Sequence, residues 1–175
     1  MLDKNDVLDA ILRDCDISLH LFGKLPEGGL DYQPSSEQRN TLQLLRYIAH
    51  CGIGGSRALV EGNWDGYQEV AQRVQEMAGE EFPAAMERQK QELRGLFAEI
   101  TDEDFASRDA TLPTGETLKL GRALLEMPVK WMTAYRMQLF LYAKAAGNSD
   151  IWTPNCWAGV DWDKPVPEGI PSGEE

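Results

Sequence analysis

Between Asp6 and Leu25, apolar side chains return at three- and four-residue steps: Leu8, Ile11, Leu12, Cys15, Leu19 and Phe22 form one stripe. That period predicts an amphipathic helix with a single buried side. Pro26, Gly28 and Gly29 end it, and Leu30 to Gln38 reads as a loop. A second helix is expected from Ser36 or Asn40 to Glu61, with Leu44, Leu45, Ile48, Leu59 and Val60 on its apolar face. Either starting residue can cap a helix, so the boundary stays open between them. Gly62 to Gly66 reads as a turn, followed by a short helix over Tyr67 to Met77. A third long helix runs from Pro83 to Ile100, buried along Met86, Leu93, Leu96, Phe97 and Ile100, with one further turn at Thr101 to Phe105. The fourth spans Lys119 to Ala146 and stops at Gly147. Pro128 inside it predicts a kink or a break. A short hairpin between Thr111 and Leu118 is the one strand pattern in view. Together these elements predict an all-α four-helix bundle with a long crossover between helices two and three.

Two features do not follow from periodicity. Gly52, Gly54 and Gly55 crowd the middle of the second helix, where each glycine costs on the order of 1 kcal/mol relative to alanine. Close helix contact is the favoured reason, a ligand cavity the other. Residues from Asn148 onward are not helical, yet Trp152, Trp157 and Trp162 lie there. Rings of that size are costly to leave in water, so Ile151 to Trp162 is expected to fold back on the bundle as a Trp-rich, non-helical segment. We therefore assign residues 1–162 to a single helical-bundle domain and 163–175 to an acidic, Pro-rich, mobile tail.

Composition narrows the partners. The net charge is −12, and basic residues such as Arg88, Lys90 and Arg94 alternate with Glu87, Glu92 and Glu99. No patch suited to a phosphate backbone is visible, so nucleic acid is not an expected partner. No apolar run reaches the length of about eighteen residues that a membrane helix needs. The acidic N-terminus lacks the basic start of a secretory signal. The three cysteines have no CxxC spacing, which fits reduced thiols in a cytoplasmic protein.

Candidate chemistry is sparse. There is no GxSxG elbow, P-loop or dinucleotide fingerprint. Cys51 follows His50 directly, and neighbours on a helix point apart, which makes joint action by that pair awkward. No catalytic residue is assigned. Two aromatic pairs stand out instead. Tyr47 and His50 are three residues apart on the second helix, and Trp131 and Tyr135 four apart on the fourth, with Gln138 nearly above them. Such pairs are ordinary core in most bundles; here they also converge at mid-bundle if helices two and four are neighbours.

These segments, Thr41 to His50 and Trp131-Met132-Thr133-Ala134-Tyr135-Arg136-Met137-Gln138, resemble the corresponding parts of the DinB/YfiT-like superfamily of four-helix bundles. Leu25 to Pro34 and Phe97 to Phe105 are similar in the same sense, so the resemblance runs to about Gly159. It implies one metal-binding histidine on helix two and two more in an HxxxHRxQ-like element on helix four. Tyr47, Trp131 and Tyr135 stand at those three positions, while Arg136 and Gln138 match theirs. Tryptophan cannot ligate a divalent ion, and neutral tyrosine is a poor ligand. The metal site is accordingly expected to be degenerate, with no metal and no cofactor.

The expectation is a bundle protein binding a small apolar or aromatic molecule between helices two and four, in a pocket of Tyr47, His50, Trp131, Tyr135, Arg136 and Gln138. The first alternative is a divalent-metal-dependent transferase or hydrolase with a displaced site around His50, drawing on Glu126 or Cys51. The second is an interaction protein that acts as a homodimer, an assembly the resemblance also implies.

Overall fold

The structure is a computed structural model in which residues 2–162 are described. The expected mobile tail at 163–175 lies outside them. Asp3 opens helix α1 (Lys4–Phe22), its carboxylate accepting from the Asn5 and Asp6 N–H groups at 2.7 and 3.0 Å. Asn40 does the same for α2 (Thr41–Glu61), exchanging bonds of 2.8 and 2.9 Å with Gln43. This reciprocal cap satisfies donors that a helix start leaves orphaned, and it places the boundary at Asn40 rather than Ser36.

After α2 the chain forms a short helix α3 (Asp65–Arg73) and then α4 (Phe82–Glu99), with Pro83 in the first turn. Helix α5 (Asp102–Ser107) leads into an antiparallel hairpin of β1 (Asp109–Thr111) and β2 (Thr117–Lys119), with Ala110 opposite Leu118. Gly115 turns it at φ +87°, a conformation open to glycine at no steric cost. The last long helical run is α6 (Leu120–Leu124), a π turn (Leu125–Val129) and α7 (Lys130–Ala145). Pro128 sits inside the π turn. Proline lacks an N–H and crowds the carbonyl one turn back, and the wider π register absorbs both defects without ending the helix.

Helix α2 packs on α3, α4 and α7, while α1 packs on α4 and α7. Around the bundle the order is α1, α4, α2, α7, and the crossover from α2 to α4 lays α3 on the outside of α2. Ile11, Leu21, Leu44, Ile48, Phe82, Met86, Leu93, Phe97 and Leu124 are fully buried between the four. Each such side chain contributes about 1.5–3 kcal/mol of transfer free energy. Among the described residues no helix is long and apolar enough to cross a membrane.

The glycine cluster of α2 serves close approach by three neighbours. A Cβ at Gly52 would stand 3.1 Å from Gln89 Oε1 of α4, and one at Gly54 only 2.8 Å from the Tyr67 ring of α3. At Gly55 it would meet the Trp131 ring of α7 at 3.3 Å. Gln89 uses the opening at Gly52: its amide oxygen accepts from the Gly52 and Ile53 N–H groups at 3.1 Å each, and its Nε2 donates to the Ile48 carbonyl at 2.9 Å. A buried amide with both ends satisfied clamps α4 to α2.

The segment after α7 departs from expectation. It docks through Ile151, Asn155 and Cys156, which are buried, and it forms a short helix α8 (Thr153–Trp157). Trp157 is nevertheless 74% exposed and Trp162 46%. The small, polar and aliphatic side chains hold the segment down, and two of its three indoles face water.

Candidate functional site

Tyr47 and His50 lie one turn apart on α2, with ring centroids 5.1 Å apart. Tyr135 of α7 meets Tyr47 at 4.5 Å, and Tyr67 of α3 meets His50 at 5.3 Å, edge to face. Tyr67 also packs edge-on against Trp64 at 5.3 Å and Trp131 at 6.3 Å. These contacts make one continuous ring cluster across three helices, the geometry that aromatic quadrupoles favour. Between α2 and α7, where spacing put the pocket, Tyr47 meets Tyr135, Trp131 lies against Gly55 and Met132 packs against Gly52.

His50 is oriented from both sides. Its Nδ1 lies 2.9 Å from the Arg46 carbonyl, which can only accept, so Nδ1 carries the proton. The Nε2 lone pair then faces the Tyr67 hydroxyl at 3.3 Å, which donates to it. Burial holds the imidazole pKa below its ordinary value; the backbone bond opposes that shift and the nearby Arg39 charge adds to it. Burial likewise pushes the Tyr47 and Tyr67 phenols upward, with the Cys51 thiol adding to both. At neutral pH His50 is therefore a neutral imidazole, and Tyr47 and Tyr67 are protonated phenols.

An open groove of ≈ 490 Å³ lies over this cluster, between α2 and α3. Its floor is Tyr47, His50 and Tyr67, and its rim carries Arg39, Arg46 and glutamines such as Gln43 and Gln72. Arg39 holds its guanidinium over the Tyr47 ring at 4.5 Å and over Tyr135 at 5.7 Å. Arg46 donates through Nε to the Met77 carbonyl at 2.9 Å. Sequence reasoning missed Tyr67 and Arg39 as site residues. The small Gly66 before Tyr67 and the glycine opposite it at Gly54 were the available signals; for Arg39, placed beside the Asn40 cap, there was none.

Arg136 does not join the cluster. It follows Tyr135 by one position, hence about 100° around the helix, and faces α1 and α8. There its Nε stands 3.2 Å from Asp14 Oδ1, off the N–H axis, and its Nη1 donates to the Cys156 carbonyl. Asp14 also accepts from Thr133 at 2.6 Å. Burial pushes the Asp14 carboxyl upward despite the Thr133 bond and the Arg136 charge. Gln138 acts at one remove: its Nε2 donates to the Tyr142 hydroxyl at 2.7 Å, and that hydroxyl donates to the Arg39 carbonyl at 3.0 Å. It fixes the backbone from which Arg39 reaches over the rings.

The same bundle occurs in a solved structure, that of a DinB-like protein (YjoA) from Bacillus subtilis. The two superpose with a TM-score of 0.65 over 84% of this chain and 96% of that one, at 18% sequence identity. The fold is DinB-like. No protein-family model matches the sequence, and no curated protein matches it either.

The metal that the superfamily resemblance implies does not fit the donors of this DinB-like bundle. Trp131 offers only an N–H, and the two phenols are poor ligands at neutral pH, Tyr47 the more so for being held high by burial. Around His50 the partners needed for a displaced site are engaged elsewhere. Cys51 is buried with its sulfur 3.4 Å from that of Met132, and burial pushes its thiol well up. Glu126 is paired with Arg122 and Lys130. Among the described residues no group of three His, Cys, Asp or Glu side chains is placed to hold an ion.

Proposed function

We propose that this DinB-like bundle is a binding protein that takes a small molecule with an aromatic or apolar body, and that it does so without a metal. The observation that carries this reading is the groove between α2 and α3, floored by Tyr47, His50 and Tyr67. Concave surfaces with an aromatic floor and a few fixed polar groups are the usual geometry of small-molecule sites. The orientation of His50 supports it: one nitrogen is pinned to the backbone, and the other is directed at the Tyr67 hydroxyl. The seat is thus α2 with α3, one helix over from the pair named by sequence spacing.

A thermal-shift screen of small aromatic compounds tests the reading. Saturable hits are expected in the native protein and are lost in Tyr47→Ala and Tyr67→Ala. Hits that persist unchanged in both variants overturn it.

Homodimerisation is the second reading. Met137 and Leu141, 44% and 53% exposed, lie one turn apart on α7, and Trp157 of the adjoining α8 is exposed as well. Light scattering that reports a monomer over a wide concentration range removes it.

A further inference from the structure

We infer that the ligand of the α2–α3 groove is an aromatic carboxylate, its ring over Tyr47 and Tyr67 and its carboxylate paired with Arg39 and Arg46; this rests on the binding reading above. The first observation is charge. The chain carries 29 acidic and 17 basic residues, yet the groove lining contains two arginines and no Asp or Glu. A positively lined recess in an acidic molecule focuses potential and draws anions in.

The second observation is that both guanidinium groups are held in place and left with spare donors. Arg39 rests on the Tyr47 and Tyr135 rings, and its backbone is tethered through Tyr142 and Gln138. Arg46 uses Nε on the Met77 carbonyl; among the described residues its two Nη groups have no protein acceptor and neither arginine is in an ion pair. Elsewhere on the surface, Arg57 and Arg73 are paired with Glu61 and Glu92. A planar guanidinium with free parallel N–H groups matches a carboxylate in a two-bond fork. The remaining polar groups agree: Tyr47 is a protonated phenol, and His50 is kept neutral and already accepts from Tyr67. An ammonium ligand would meet two cations and no counter-charge.

The test is isothermal titration of the full chain with 2-naphthoate, its neutral counterpart 2-naphthalenemethanol, and inorganic phosphate. The panel is repeated on Arg39→Gln, Arg46→Gln and Tyr47→Ala, with the melting temperature of each variant as the folding control. Naphthoate is expected to bind at least about tenfold more tightly than the alcohol, and each arginine variant to reduce that preference for the acid by about tenfold, whatever its effect on the alcohol. Equal binding of acid and alcohol, both lost in Tyr47→Ala, overturns the carboxylate assignment and leaves the binding reading standing. Phosphate binding through the arginines, without naphthoate binding, also overturns it, since the site then reads charge alone. If nothing binds at all, both readings fall.

Discussion

Tyr135 and Arg136 are adjacent on α7 and belong to opposite kinds of surface. Arg136 sits in a buried ion pair with Asp14, which accepts from Thr133 while Arg136 donates to the Cys156 carbonyl, and both Asp14 and Arg136 are 7% exposed. Tyr135 faces a ring cluster under an open groove, where Arg39 and Arg46 keep donors in reserve. Buried charged groups whose partners all lie inside the protein hold elements together, here α1, α7 and α8. Polar groups kept in place but unspent at an open surface suit recognition. The contrast separates structure from binding on physical grounds without any appeal to motif.

The sharpest way to break that contrast is to remove Arg136. In Arg136→Met the Asp14 carboxylate stays buried without its cation, and the expected loss is about 3–5 kcal/mol in urea unfolding at neutral pH. The loss should shrink in acid. Asp14 already has a folded-state pKa raised above its unfolded value by burial, and loss of the arginine raises it further. A carboxyl of that kind binds its proton more readily folded than unfolded, so both proteins lose stability as pH rises above the unfolded value, and the extra loss in the variant develops only as pH climbs past the native folded value toward the variant's higher one. A pH-independent penalty, or one below about 1 kcal/mol, would show that the network is no fastening.

On the groove side the comparable test is steric. Gly54→Ala puts a methyl 2.8 Å from the Tyr67 ring and 3.1 Å from Val70, so α3 must shift outward. Over-packing of this sort costs about 1–3 kcal/mol against a helix-propensity gain of about 1. We expect a net loss, with amide NMR shifts concentrated at Tyr67 and His50. Gly95→Ala in α4 meets nothing within 4 Å and should stabilise by about 0.5–1 kcal/mol. The same substitution with the same sign at both sites would refute the claim that close approach explains the glycines of α2.

Much of this could be read ahead of the structure, because buried stripes repeat at the helical period. The spans around Ile11, Leu44, Leu93 and Leu139 therefore declare themselves, as does the hairpin turned at Gly115. Spacing also put Tyr47 with His50 and Trp131 with Tyr135. What it missed depends on angle and on distance along the chain. Arg136 fell into the expected pocket because a linear motif counts positions, whereas the helix turns by about 100° at each one. Tyr67 reaches His50 because Gly54 lets α3 come close, and the glycines at 54 and 66 mark a close approach without naming the ring that fills it. Trp157 shows the limit of burial arguments: one segment can be held down by Asn155 and Cys156 while its largest ring stays in water.

A weaker effect tells the two sides apart by its sign, because they should respond to pH in opposite directions. His50 is buried and neutral, with a pKa below its ordinary value. When unfolded it takes a proton near pH 6.5, and when folded it resists. Below that pH the unfolded chain binds more protons, so the stability His50 contributes is full above about 6.5 and is lost as pH falls toward the lower folded value. His20, also lowered by burial with Asp161 opposing, adds a slope of the same sign, so the readout is a difference. Unfolding free energies from pH 7.5 to 5 should fall more steeply in the native protein than in His50→Gln. In 15N spectra at neutral pH, the His50 ring should carry its proton on Nδ1, held there by the Arg46 carbonyl. Equal slopes, or a proton found on Nε2, would mean that Tyr67 and Arg46 do not orient the imidazole as described, and the groove would lose its fixed floor.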